Sequence, residues 1–162
     1  MTSTYLPSSP APATYDFKSN YRTQTSMAVS GKILSRKYGG QFYELTLAYP
    51  PMRRDQAAPI IAFLEEQEGR FGIFRVRLPD DMAGVTGVQV GNFANLDDDP
   101  NKKLYRITAL GVPPTLRPMP LTAGNVVTSG VEMRCSLKND VQMITLGNKG
   151  LVSLRINLIE RV

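Results

Sequence analysis

The sequence contains no histidine, no tryptophan and a single cysteine, Cys135. Without an imidazole to take a proton near neutral pH, Ser-His-Asp and Cys-His catalysis are excluded. Zinc sites built on cysteine and histidine go with them, since one thiol cannot assemble a tetrahedral ligand set. One cysteine also excludes an intrachain disulfide. No apolar run approaches the length of about 18 residues that a membrane-spanning helix needs. The opening Met1-Thr2-Ser3-Thr4-Tyr5-Leu6-Pro7 lacks the basic start and apolar stretch of a signal peptide. These absences point to a protein made and used outside a secretory pathway, with no membrane span.

Motifs that carry chemistry are missing too. The glycine-rich phosphate loop, the dinucleotide-binding glycine fingerprint and the Gly-x-Ser-x-Gly elbow do not occur. Asp97-Asp98-Asp99-Pro100-Asn101 has neither the alternating oxygen ligands, the central glycine nor the distant glutamate of a calcium loop, and reads as a solvated turn. Asp80 and Asp81 are adjacent, so on a strand they would point to opposite faces. No catalytic, metal or cofactor residue is assigned, and the expectation is a protein that is not an enzyme.

What is present suits one globular domain. The chain has 162 residues, 42% hydrophobic and 20% charged, and a domain of this size buries roughly 70% of its unfolded surface. Nineteen basic and 14 acidic residues leave a net charge of +5, which favours nucleic acid, an anionic surface or an acidic protein neighbour as partner.

Residues 1–20 form a separate region by composition. Pro7, Pro10 and Pro12 cannot continue a helix or a central strand, so an extended N-terminal arm is expected, either a disordered tail or an arm with Tyr5, Leu6, Tyr15 and Phe17 as apolar anchors on a neighbouring subunit. Residues 21–162 are expected to form a single β-rich domain with one helix near 54–68. Met27, Val29, Gly31 and Ile33 alternate with Ala28, Ser30 and Lys32 as in a half-buried strand. Arg36-Lys37-Tyr38-Gly39-Gly40 offers a turn, and Tyr43, Leu45, Leu47 and Tyr49 continue as the second strand of a hairpin, stopped by Pro50-Pro51.

The helix is signalled by Ala57, Ile60, Ile61 and Leu64 at spacings of three and four, with Asp55 or a near neighbour as cap, Pro59 near the first turn and Gly69 at the C-terminal end. Glu65, Glu66 and Glu68 crowd its last turn, where carboxylates oppose the helix dipole. Such a cluster reads as a solvated helix end, or as a surface that meets Arg70, Arg75 or Arg77 of a neighbour. Phe71–Leu78 reads as a strand with a bulge near Gly72, and residues 82–103 as turns with scattered Val85, Val88, Val90 and Phe93. Leu104–Leu110 is a further strand, and Pro113, Pro114, Pro118 and Pro120 form a stiff connector. Met133, Cys135 and Leu137 alternate inward, as do Val152, Leu154, Ile156 and Leu158, with a hairpin turn at Gly147-Asn148-Lys149-Gly150. About eight strands and one helix imply a mainly β fold, a β-barrel or β-sandwich with the helix as cover.

For nucleic acid, Arg36-Lys37-Tyr38 and the Arg75/Arg77 pair are the best basic and aromatic combinations. A single-strand binder needs several aromatics exposed on one face, whereas the aromatics here fall largely on apolar phases. A nucleic-acid-binding β-barrel module with a basic surface is the alternative function.

The order Ser30-Gly31-Lys32, Gly39-Gly40-Gln41-Phe42-Tyr43-Glu44-Leu45-Thr46-Leu47-Ala48-Tyr49-Pro50-Pro51, Ala57-Ala58, Phe63-Leu64, Gly69-Arg70-Phe71-Gly72-Ile73-Phe74 and Leu78-Pro79 resembles small minor tail proteins of tailed bacteriophages, of the distal tail or baseplate ring type. Leu104-Tyr105-Arg106-Ile107-Thr108 and Leu116-Arg117-Pro118 extend the likeness more weakly. Phe42-Tyr43 stand where a tryptophan is often found in that pattern. The resemblance implies a structural virion protein, synthesised in the host cytoplasm, that forms a homo-oligomeric ring, a hexamer, joining the tail tube to the tip or baseplate. Its partners would be further copies of itself and the neighbouring tube and hub proteins, with DNA only passing through the lumen. No catalytic or cofactor residues are implied.

Overall fold

The computed structural model describes residues 4–79, 88–140 and 144–162. The chain is mainly β, with eleven strands and one helix in those segments. The larger sheet has the order β1-β2-β11-β9-β4, built from β1 (Thr14–Met27), β2 (Ile33–Ala48), β4 (Phe74–Arg77), β9 (Glu132–Leu137) and β11 (Leu151–Glu160). The short strands β3 (Met52–Arg53) and β10 (Ile144–Leu146) pair with the first half of β11. The smaller sheet has the order β7-β6-β5-β8, from β5 (Phe93–Leu96), β6 (Tyr105–Ala109), β7 (Thr115–Arg117) and β8 (Val126–Val127). All of these pairings are antiparallel.

Two sheets are compatible with a β-sandwich. No closed barrel is found among the described residues, and the strands exceed the eight expected, because strands of two or three residues are too short to show a period.

The clean alternations are borne out. Val152, Leu154, Ile156 and Leu158 of β11 and Met133, Cys135 and Leu137 of β9 are buried, where each inward side chain removes apolar area from water. Leu45 and Leu47 of β2 join them, and helix α1 (Arg54–Glu66) lays Ala57, Ile60, Phe63 and Leu64 on the same core. The Phe63 ring meets Phe74 edge-on, with centroids 5.1 Å apart. A smaller cluster of Ala94, Leu96, Tyr105, Ile107 and Leu116 lines the second sheet. Phe93 bridges the two sheets, its ring 4.5 Å from that of Phe17 and 5.6 Å from that of Tyr43.

The helix cap is the near neighbour Arg53 rather than Asp55 itself. The first helical residue is Arg54, the cap position is Arg53, and the Arg53 N–H is taken by the Gln56 side chain at 3.3 Å. Asp55 lies in the first turn, where a carboxylate favours the dipole. Pro59 sits in the second turn, inside the helix.

The first hairpin also differs from expectation. Its turn is at Ala28–Lys32, closed by Ala28 N–H to Lys32 O (2.9 Å) and Gly31 N–H to Ala28 O (2.8 Å). Gly39-Gly40 makes no turn. Asn20 pairs with Phe42 and Arg22 with Tyr38, so extra residues of β2 bulge opposite Tyr21. Gly40 has φ of 91° there, a conformation that a side chain disfavours.

Further expectations are corrected. Only Phe74–Arg77 of the 71–78 segment is strand, since the chain up to Gly72 is still closing the helix. Phe93–Leu96 is a fully buried strand rather than a turn, and the proline-rich connector contains β7. Asp80, Asp81, Val85 and residues 141–143 lie outside the described residues.

In the region expected as an extended arm, part of the described chain pairs with the chain's own strands. Residues 14–20 are the first half of β1. Arg75 N–H donates to Thr4 O (2.8 Å) and Leu6 N–H to Arg75 O (3.0 Å), joining the start of the chain to β4 in parallel. Backbone groups laid against a sheet edge find partners there, which a free arm would have to take from water.

Candidate functional site

The residues expected at a subunit interface fall into three places. Leu6 is buried in the chain's own core, and Tyr15 and Phe17 pack against it from β1. Within the single chain, these three side chains therefore serve the core.

Tyr5, Arg75 and Arg77 are brought together, around Glu132, a residue the sequence did not single out. The Tyr5 hydroxyl donates to Glu132 Oε1 at 3.1 Å. Arg75 and Arg77 approach the same carboxylate at 3.6 and 3.5 Å, and the Arg77 guanidinium lies 5.5 Å from the Tyr5 ring centroid. Strands β4 and β9 position the group, because Arg77 pairs directly with Glu132 in their register. This cluster fastens the N-terminal segment to the sheet, so both arginines have their counter-charge within the chain.

Glu65, Glu66 and Glu68 are exposed at the end of α1, in a last turn without a basic residue. Among the described residues no salt bridge reaches them. Gln67 between them is buried and donates to Phe63 O at 3.3 Å. The chain then folds back tightly, with Gly72 N–H donating to Gln67 O at 2.9 Å. A Cβ on Gly72 would stand 2.7 Å from that same carbonyl oxygen, which is why glycine is needed there. The fold-back puts Phe71 and Ile73, both exposed, beside the glutamates; Phe71 is 84% exposed.

The most conspicuous surface is one of which sequence reasoning singled out only Arg36-Lys37-Tyr38. Pairing of β2 with β11 stops at Glu44. Beyond it, residues 21–40 of β1 and β2 continue as a two-stranded ribbon, exposed along its length except for half-buried Ala28. Tyr21, Met27, Val29, Ile33, Leu34 and Tyr38 are all exposed, Met27 by 75% and Ile33 by 68%. Arg22, Lys32, Arg36 and Lys37 supply four cations, with no carboxylate in residues 21–40. Register places Met27 with Ile33 and Thr23 with Lys37 on one face, and Arg22 with Tyr38 and Gln24 with Arg36 on the other. The Tyr38 hydroxyl donates to Gln24 across the strands. The available signal was the one-signed charge of this stretch, which neighbouring segments do not share.

A groove of about 440 Å³ on the outer face of the large sheet is lined by Lys18, Glu44, Thr46, Lys138, Arg155 and Asn157 among others, and Lys138 occupies the Glu44 carboxylate at 2.6 Å. Burial pushes the Cys135 thiol well above its usual range, with the Glu160 charge adding to the effect, so it stays protonated. Among the described residues no three acidic, cysteine or histidine side chains gather as a metal site, and no helix is long and apolar enough to cross a membrane. No protein-family model matches this chain, and comparison with curated proteins finds no relative.

Proposed function

We propose that the chain is a structural protein of a bacteriophage tail, a ring of six copies at the distal end of the tail tube that connects the tube to the tip or baseplate. The observation that carries this reading is the exposed 21–40 ribbon with its six large apolar side chains. A soluble monomer rarely exposes so many large apolar side chains on one element, and such an element marks an interaction site. The order of motifs from Gly39-Gly40 to Leu78-Pro79 supplies the tail assignment. The role is assembly rather than catalysis, its partners being further copies and the tube and hub proteins above and below. A two-sheet sandwich body with α1 on the core would form the wall of the ring. DNA passing through the bore must not be gripped, so the cations belong on outward faces or against acidic neighbours.

The test is a cryo-EM reconstruction of particles carrying the chain. A closed ring around the tube axis near the tip supports the reading, and absence of the chain from the particle refutes it. A strongly positive bore would contradict the placement of the charge.

One observation favours a second reading. The ribbon's cations stand beside Tyr21 and Tyr38, a combination suited to a nucleic-acid-binding module. That reading requires DNA affinity that falls steeply with salt.

A further inference from the structure

We propose that the 21–40 ribbon of one copy docks on the acidic end of α1, with Phe71 and Ile73, of a second copy. This rests on the ring reading and names the two surfaces that make the ring. Among the described residues neither surface has a salt-bridge partner elsewhere in its own chain, and each supplies what the other lacks. The ribbon offers Met27 and Ile33 with Lys37 on one face, Leu34 with Arg36 on the other, and Val29 and Lys32 in the turn at its tip. The receiving surface offers Phe71 and Ile73 flanked by Glu65, Glu66 and Glu68, with Arg70 as the one cation between residues 61 and 73. The helix carbonyls end at the same place and add negative potential.

Apolar tip meets apolar pair, and cations meet carboxylates around it: an apolar centre within a charged rim, as in protein interfaces generally. The two surfaces are different parts of the chain, so the contact is heterologous. Repeated around an axis it closes into a ring or runs on as a filament. The apolar tip also argues for protein over DNA as the occupant, because nucleic-acid interfaces are the more polar and cationic.

Self-association is measured on the full chain by sedimentation over a wide concentration range, with thermal melting to establish that each variant is folded. Met27→Asp with Ile33→Asp is expected to weaken association by about tenfold or more, and so is the triple change Glu65→Lys, Glu66→Lys, Glu68→Lys. A chain carrying Arg36→Glu and Lys37→Glu, mixed with the triple variant, is expected to regain association that neither shows alone. Association that survives both sets of changes overturns the docking. A chain that is monomeric at every concentration overturns it as well. A ring at the tail tip with the ribbon seated elsewhere overturns the docking while leaving the ring reading intact; loss of the chain from the particle removes the ring reading itself. Salt-sensitive binding of duplex or single-stranded DNA that is lost with the ribbon cations, without self-association, overturns the docking in favour of nucleic acid.

Discussion

Lys103 Nζ lies 2.5 Å from Glu160 Oε2, and both side chains are buried. Glu160 also accepts the backbone N–H of Tyr43 (3.0 Å) and of Leu104 (2.7 Å), while Lys103 donates to Gln41 Oε1 at 3.0 Å. One carboxylate thus ties β2, β11 and the segment leading into β6, and so holds the smaller sheet to the larger. Removing one partner of a buried pair leaves the other uncompensated, at a cost of about 3–5 kcal/mol. Lys103→Met is therefore expected to destabilise the chain by about that much in urea unfolding. Glu160→Gln is expected to cost at least as much, because its amide turns a donor toward donors. Adding Lys103→Met to Glu160→Gln should cost less than the two single effects together.

Core and ribbon should respond in opposite ways. Ile60 and Leu158 are fully buried, so Ile60→Ala or Leu158→Ala is expected to cost about 2–5 kcal/mol through lost transfer energy and a cavity. Ile33→Ala or Met27→Ala on the ribbon should stay within about 0.5 kcal/mol. Chemical denaturation of the four variants measures the contrast, and a large loss at Ile33 would mean the ribbon is packed after all.

Gly72→Ala should destabilise by about 1–3 kcal/mol, as overpacking does. The added methyl would come within 2.7 Å of the Gln67 carbonyl oxygen and 2.8 Å of its Cα, which are backbone atoms and cannot step aside. The shift in urea midpoint measures it, and an unchanged midpoint would show that the turn after α1 is loose.

Asp97 gives a pH signature. Hydrogen bonds from Asn125 hold its carboxyl below the usual carboxylate range. A carboxyl whose folded pKa lies below its unfolded one adds stability that is fully present above the unfolded value, about 3.9, and is lost as pH falls through the folded value. Melting temperature followed from neutral to acid pH should fall more steeply for the native chain than for Asp97→Asn. Parallel curves would remove the assignment.

Cys135 has no exposed surface. Its alkylation should be negligible in the native state and become rapid on unfolding in denaturant, whereas fast labelling of the folded chain would contradict its burial.

The strands of the large sheet that bury one face were legible from sequence because burial imposes the period: β9, β11 and the inner half of β2 all alternate as packed. The helix was legible for the same reason, its stripe running from Ala57 to Leu64. The ribbon was not. Both of its faces meet solvent, so Met27, Val29, Gly31 and Ile33 alternate without any buried side to explain it, and a turn passes through them. Gly39-Gly40 carries turn chemistry but serves a bulge, a choice made by the pairing of β1 that local sequence does not encode. At the candidate sites, Arg75 and Arg77 were singled out but Glu132, which neutralises them, was not, since the pairing that unites them spans 55 residues. Lys103 and Glu160, 57 residues apart, are invisible to any local pattern.

The place of β11 in its sheet has a bearing on biosynthesis. It follows β1, β2, β4 and β9 along the chain yet lies in the middle of them, between β2 and β9. Until residues 151–160 have left the ribosome, the β1–β2 hairpin and the β4–β9 pair have no common strand to join. Before then only the pairing of residues 4–6 with β4 links the two halves, and consolidation of the large sheet waits for translation to pass this segment. Such long-range closure is slow, and during it the apolar faces destined for β11 stand open to chaperones and to other nascent chains.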